Sequence, residues 1–324
     1  MLKVYAADQN RLRKVDVTED HTPPADTIWF DLLRPTTEET RVVEAALHLE
    51  LPSREEMQEI EVSSRLYEED GNYYMTATII SKADTEHPES GAITFILAGN
   101  RLVTLRFTEP RPFAIFTARA QRAGAYATGH TILLGLLEAI IDRLADTLEF
   151  TANRVDALSR EIFEHPDKQP LKSRDFQDVL RRIGHQGDLT SMARESLLNI
   201  ARLLTFLGQA IAGAKAPKDL RGRLKTMSRD VNSLSDHASF LSNKINFLLD
   251  ATLGMINIEQ NAIIKIFSVA AVVFLPPTLI ASIYGMNFDF IPELHWAVGY
   301  PLALVLMVLS ALLPYLYFKR RGWL

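Results

Sequence analysis

Between Lys265 and Asp289 no residue carries a charge. An apolar run of that length crosses a bilayer as a helix, and few other folds can hold it. Pro276 and Pro277 lie inside the run. Each lacks a backbone donor, so the carbonyls of Val272 and Val273 lose their usual partners. In hydrocarbon such carbonyls persist only where protein or water satisfies them. The run ends on Tyr284-Gly285-Met286-Asn287, a small polar turn at the far interface. Glycine frees the backbone there, and the asparagine amide oxygen suits a hydrated cation.

A second charge-free stretch, Trp296 to Phe318, has Trp296, Tyr300, Tyr315, Tyr317 and Trp323 near its ends, as interfacial aromatics do. Lys265 precedes the first span and Lys319-Arg320-Arg321 follows the second, while the joining loop carries Asp289 and Glu293 and no Lys or Arg. Two spans make a multi-pass membrane protein, expected in the cell (inner, plasma) membrane, and the positive-inside rule sets its orientation. Both termini are cytoplasmic and the acidic loop lies outside. His295 beside that loop has no second ligand at metal spacing and reads as interfacial.

The remainder is polar. With 23% charged and 47% hydrophobic residues the mean hydropathy is +0.01, a soluble bulk averaged with an apolar end. There are no cysteines, hence no disulfide framework, thiolate site or cysteine nucleophile. The first ten residues show no charged-then-apolar leader, so no cleaved signal is expected. A net charge of −5 argues against nucleic acid as a partner. No Walker loop, H-E-x-x-H or nucleophile elbow occurs, which leaves an enzyme no visible seat.

The predicted fold class is an α+β membrane protein. Residues 1–125 read as a cytosolic α/β domain, with strands at Leu2–Ala6, Arg11–Val17, Thr27–Asp31, Asn72–Ile80, Ala92–Leu97 and Arg101–Phe107. Asn72-Tyr73-Tyr74 and Gly99-Asn100 punctuate them. Thr36 with Glu39 and Ser53 with Glu56 have capping-box spacing, which starts helices. Glu55, Glu56, Glu59 and Glu61, then Glu68-Glu69-Asp70, could attract a divalent ion, although charge runs are ordinarily solvated faces. Residues 126–219 read as long antiparallel cytosolic helices, His130 to about Glu164 and Leu171 to Ala212. Residues 220–284 form a stalk helix on the order of 90 Å long that continues into the first span. The loop then covers 285–295, the second span 296–318 and a basic tail 319–324.

One stripe of the third helix keeps heptad spacing: Asp250, Gly254, Asn257, Asn261, Ile264, Ser268, Ala271, Leu275, Thr278 and Ser282. Small residues there would suit tight helix packing. The asparagines and Thr278 favour a water-filled pore wall instead, with Ile264 and Leu275 as apolar points able to gate by dewetting. Two spans cannot enclose a channel, so copies must meet around an axis in a cyclic homo-oligomer within membrane lipid.

Tyr284-Gly285-Met286-Asn287 with Phe288 and Pro292-Glu293-Leu294 resembles the signature of the CorA magnesium channel family. The likeness runs upstream through Asn257–Asn261 and Phe274–Thr278 and downstream to Lys319–Leu324; over the rest only the layout is similar. Ile291 stands where the family more often has Met. The resemblance implies a pentamer with first spans lining the pore, and a cytosolic funnel. It also implies Mg2+ uptake driven by the membrane potential and closed by regulatory internal Mg2+, with no cofactor beyond those ions. Gly285, Met286 and Asn287 would form the selectivity filter, Asn287 and Asp250 would meet the metal, and Asp289 and Glu293 would flank the external mouth. Sensing residues are not assignable, because Thr226 stands where a stalk aspartate is expected, with Asp230 and Asp236 nearby. Two other readings stay open: a zinc or cobalt/nickel transporter on the same fold, and a membrane-anchored coiled-coil scaffold. Softer metals favour His or Cys ligands, and the stripe has neither.

Overall fold

A computed structural model describes residues 1–8, 11–15, 23–122, 126–163, 173–213, 217–287, 291–292 and 296–323. The chain divides into two units, Met1–Pro170 with Asp178–Leu248, and Leu171–Gln177 with Leu249–Leu324.

The first unit is built on a sheet of β1 (Leu2–Asp8), β2 (Arg11–Val15), β3 (Thr27–Leu33), β4 (Leu66–Glu69), β5 (Asn72–Ser81), β6 (Glu89–Ala98) and β7 (Arg101–Arg106). Their order is β2-β1-β3-β7-β6-β5-β4, antiparallel throughout except where β3 runs parallel to β7. The pattern follows from side-chain placement. β3, Thr-Ile-Trp-Phe-Asp-Leu-Leu, is buried along nearly its whole length because both sheet faces are covered. β2, with Arg11, Arg13 and Lys14, suits an outer strand, where exposed cations deter pairing with a foreign edge.

Over one face lie α1 (Thr37–Leu47) and a 3-10 turn at Glu56–Gln58, bringing Val43 and Met57 against Phe30, Leu32, Ile96 and Val103. Over the other lie α3 (Arg111–Arg122) and α4 (Gly129–Phe163), where Phe113, Phe116, Ile132, Leu133 and Leu136 join Trp29, Phe95 and Leu97. A short helix, α2 (Val62–Arg65), leads into β4.

Across the parallel β3–β7 pair runs an ion pair that the sequence reading did not anticipate. Arg106 Nε and Nη2 donate to the two Asp31 oxygens at 2.9 and 2.8 Å, and both side chains are almost wholly buried. Thr104 Oγ1 donates to Asp31 at 2.8 Å and itself accepts from Trp29 Nε1 at 3.1 Å, while Arg106 lies 4.4 Å from the centre of the Phe113 ring. Removing one member strands a charge away from water. Asp31→Ala is therefore expected to destabilise the first unit by about 3–5 kcal/mol. Denaturant unfolding of the full chain in detergent checks this, and a midpoint equal to wild type would contradict it.

The long helices follow the apolar periodicity. α4 is followed by α5 (Ser173–Gly213) and α6 (Lys218–Tyr284). Arg223 forks onto Glu138 at 2.9 and 2.8 Å and Lys244 pairs with Asp156, so α4 and α6 run parallel. Gly187 faces Ile245 and Gly208 faces Leu224, so α5 runs antiparallel to α6. At Gly208 a Cβ would come within 3.1 Å of the Leu224 side chain, which explains a glycine inside that helix.

Several expectations need adjustment. Thr36 and Glu39 do form a capping box at the start of α1, the Thr36 hydroxyl accepting from the Glu39 N–H at 3.2 Å. Ser53 and Glu56 make the same reciprocal bonds, at 3.2 and 2.8 Å, but head only the 3-10 turn. Beyond it Glu59, Ile60 and Glu61 bury no apolar face that could sustain a helix. The turn expected at Asn72-Tyr73-Tyr74 lies at Asp70-Gly71, both with positive φ (50° and 76°), and Asn72 already belongs to β5. β4 and α3 were not foreseen. Val17, the expected end of β2, lies outside the described residues, as do Glu164, Leu171, Phe288, Phe290, Leu294 and Leu324.

In the second unit, the remainder of α6 pairs with α7 (Gly299–Arg320). The Lys265 ammonium lies 6.0 Å from the Trp323 ring, which fixes the two apolar runs as an antiparallel hairpin. Trp296, the expected start of the second span, stands in the turn before α7, which begins three residues later, and the Gly299 N–H donates to its carbonyl at 3.0 Å.

Candidate functional site

Both α6 and α7 contain runs long and apolar enough to cross a membrane. α6 stays helical through Pro276 and Pro277, and α7 through Pro314. Thr278 Oγ1 donates to the Phe274 carbonyl at 2.8 Å, an ordinary i−4 back-bond that leaves the carbonyls of Val272 and Val273 untouched.

The two helices shield one face each. Within the apolar run of α6 the least exposed positions are Val269, Ala270, Val273, Pro276, Pro277, Ile280 and Tyr284; on α7 they are Gly299, Ala303, Met307, Ser310, Ala311, Pro314 and Phe318. Steps of three and four define one stripe per helix, and small side chains such as Ala303 and Ser310 suit close packing. The other stripe, Asn261, Ile264, Ser268, Ala271, Leu275, Thr278 and Ser282, lies on the far side of α6 from its shielded face, at about 100° per residue. Every one of those residues is exposed in the single chain, as are Asp250 and Asn257 toward the N-terminal side. The small and polar stripe is therefore not used for packing within this chain.

The helix ends at the expected turn. The Gly285 N–H still donates to the Ala281 carbonyl at 3.0 Å, and the Met286 N–H donates to Ile283 at 3.3 Å. Gly285 does not take a positive φ, so dihedral freedom is not why it is glycine. A Cβ there would stand 3.1 Å from the Ala281 carbonyl oxygen, the acceptor of its own N–H in the preceding turn, an approach that any residue closing a helical turn makes. Met286 lies in a bend and Asn287 follows it, both exposed. Asp289, Glu293 and His295 lie outside the described residues.

The acidic runs in the first unit stay dispersed. Glu55, Glu59 and Glu61 are exposed beside Ile60, and among the described residues no three His, Cys, Asp or Glu side chains gather as a metal site. Thr226 and Asp230 line an open cavity of about 820 Å3 with Arg119, Glu138, Asp142 and Arg223. Burial, then the neighbouring charges of Glu138, Asp146 and Asp230, push the Asp142 carboxyl above its ordinary range against the pull of Arg119. A raised acid contributes stability that is fully present below the ordinary carboxylate pKa and is lost as pH rises from there through the raised folded-state value. Asp142→Asn is accordingly expected to raise the midpoint of thermal unfolding at pH 7 and to leave it little changed at pH 4. A lower midpoint at pH 7 would contradict this reading.

The family model described as "CorA-like Mg2+ transporter protein" matches residues 24–320. The chain belongs to the CorA-like Mg2+ transporter family. It is 37% identical to the magnesium transport proteins CorA of Escherichia coli K12 and Salmonella typhimurium, over the whole of both chains in each case. It is also similar to the complete structure of the CorA magnesium transporter from Methanocaldococcus jannaschii, with a TM-score of 0.74 and 19% identity. That match covers 100% of this chain and 99% of the other. The CorA family comprises transporters rather than enzymes. The fold is that of an α+β membrane protein, with an N-terminal α/β domain, long helices and two apolar C-terminal helices.

Proposed function

We propose that the chain assembles as a homopentamer in the cell (inner) membrane and conducts hydrated Mg2+ inward through a pore lined by α6. The observation that carries this reading is the exposed, mostly small and polar stripe on the side of α6 away from its shielded face. A polar helix face in lipid needs other polar faces or water, and copies around an axis supply both.

Mg2+ sheds water reluctantly and holds it octahedrally. A ring of Asn287 amide oxygens with Gly285 carbonyls can accept hydrogen bonds from the waters of an intact hexahydrate, so no dehydration cost arises. Met286 completes the filter turn. Asp289 and Glu293 raise the local cation concentration at the external mouth. A potential of 100 mV contributes about 4.6 kcal/mol to a divalent ion moving inward, so no nucleotide is required. Ile264 and Leu275 are the points where the column of water can break.

The absence of native cysteine makes the test direct. Ser268→Cys and Ser282→Cys should each oxidise to disulfide-linked dimers in membranes, and Phe274→Cys should not. Equal cross-linking at all three, or none at the stripe, would sink the pore assignment. A cysteine at Glu293 should react with an impermeant thiol reagent from outside, with both termini cytoplasmic; reaction from the cytosolic side alone would reverse the topology.

Intracellular Mg2+ closes the channel in this reading. Asp250 from each subunit would form a ring whose like charges repel unless a cation sits among them. Ions bound to one state alone bias the pore toward that state. Asp250→Ala should keep assembly intact and shift the internal Mg2+ concentration that halves flux by several-fold. An unchanged dependence would reduce Asp250 to a solvated side chain.

A further inference from the structure

We infer that the basic end of the α6–α7 hairpin is a docking surface for anionic phospholipid headgroups, built from Lys265, Lys319, Arg320, Arg321 and Trp323. This rests on the reading of both helices as membrane spans. The four cations stand where the two apolar runs end on the same side, and no Lys or Arg occurs from Ile266 through Phe318. All four are exposed. None takes part in the ion pairs found among the described residues. Among the described residues no carboxylate pairs with any of the four, so the surface carries an excess of positive charge at headgroup depth.

The chain end is fixed in place. Gly322, at φ +71°, turns the backbone after α7. The Gly322 N–H donates to the Lys319 carbonyl at 3.2 Å and the Trp323 N–H to the Phe318 carbonyl at 3.1 Å, the two bonds of a Schellman cap. Trp323 is thereby folded back onto the Phe318 ring, centroids 5.2 Å apart, and brought within 6.0 Å of the Lys265 ammonium. Arg321 leans over Tyr317 at 5.6 Å. Cations from both helices are so gathered around an aromatic platform, and a half-exposed indole is the side chain that settles at the headgroup level. A lipid phosphate is the anion that geometry places there, because its acyl chains lie along the apolar runs while its charge meets the cations.

The test is the lipid contact itself. Full-length protein is reconstituted in phosphatidylcholine bilayers with trace spin-labelled phosphatidylglycerol or spin-labelled phosphatidylcholine, and the immobilised fraction of each is compared. The wild type should prefer phosphatidylglycerol about fivefold or more, the contribution of one cation at about 1 kcal/mol. That preference should shrink as salt rises from 20 to about 500 mM, since surface charge is screened. Lys319→Gln/Arg320→Gln/Arg321→Gln should bring it close to unity. No preference in the wild type, a preference indifferent to salt, or full preference in the triple variant would overturn the inference. If the triple variant does not insert, the salt series on the wild type decides alone. The bilayer has the same lipid in both leaflets and no ion is transported, so the result is independent of topology and of the channel reading.

Discussion

Asn287→Ala is expected to abolish measurable Mg2+ uptake while leaving an assembled membrane protein. The residue follows the last turn of α6, exposed and beyond the helical hydrogen bonds, so its truncation removes little packing. In the proposed pore, what is lost is one amide oxygen per subunit at the external mouth. A hydrogen bond of this kind is worth about 1 kcal/mol net. A ring of several such losses amounts to several kcal/mol, or at least about a hundredfold in occupancy by the hydrated ion. Gly285→Ala should be less severe, because its Cβ would need the Ala281 carbonyl, 3.1 Å away, to give by only a few tenths of an ångström. Uptake assays on membranes matched for assembled protein separate the two. Near-normal flux through Asn287→Ala would show that the ion is not held there.

Ser268→Leu and Ser282→Leu should come next in severity, each reducing uptake by an order of magnitude or more. Both positions lie on the exposed stripe of α6, opposite the face shielded by α7. An added isobutyl group from every subunit narrows the path and makes it apolar, which favours loss of the water column. Phe274→Leu is the matched control. That side chain is 70% exposed but sits off the stripe, on a flank that neighbouring subunits or lipid would cover. Flux assays on the three variants, at equal amounts in the membrane, check the contrast. Equal sensitivity at Phe274 and Ser268 would mean that the stripe has no special role.

Much of this architecture was legible because it rests on periodicity. Ile132, Leu133, Leu136, Leu137 and Ile140 announce α4 by three- and four-residue steps, and the uncharged run after Lys265 announces a span whatever its neighbours do. The strands with continuous β-branched and aromatic runs were equally plain. β4 was missed because two of its four residues, Glu68 and Glu69, are acids, and only its pairing with β5 makes them a strand. The Asp70-Gly71 turn that joins the pair is nonetheless a strong local signal, since both residues accept positive φ. α3 was hidden by Pro110 and Pro112, although proline is tolerated in a first helical turn, where its missing donor has no partner to lose.

The Asp31–Arg106 pair was not legible at all. The partners are seventy-five residues apart and meet only because β3 and β7 run parallel in register. At the site itself, sequence supplied the stripe and the terminal turn, and the structure supplied which face of α6 is left open. Conformational freedom was the expected role of Gly285, yet its φ is not positive.

The central claim is tested most directly by ion uptake into proteoliposomes containing the purified chain, at an inside-negative potential of 100 mV. Mg2+, Co2+, Ni2+ and Zn2+ are compared side by side, with hexaamminecobalt added outside. This account predicts Mg2+ influx that follows the potential and needs no nucleotide. It also predicts block by hexaamminecobalt, a complex shaped like hydrated magnesium that cannot readily shed its ligands. Zn2+ influx without Mg2+ influx, or Mg2+ influx indifferent to that complex, would contradict it.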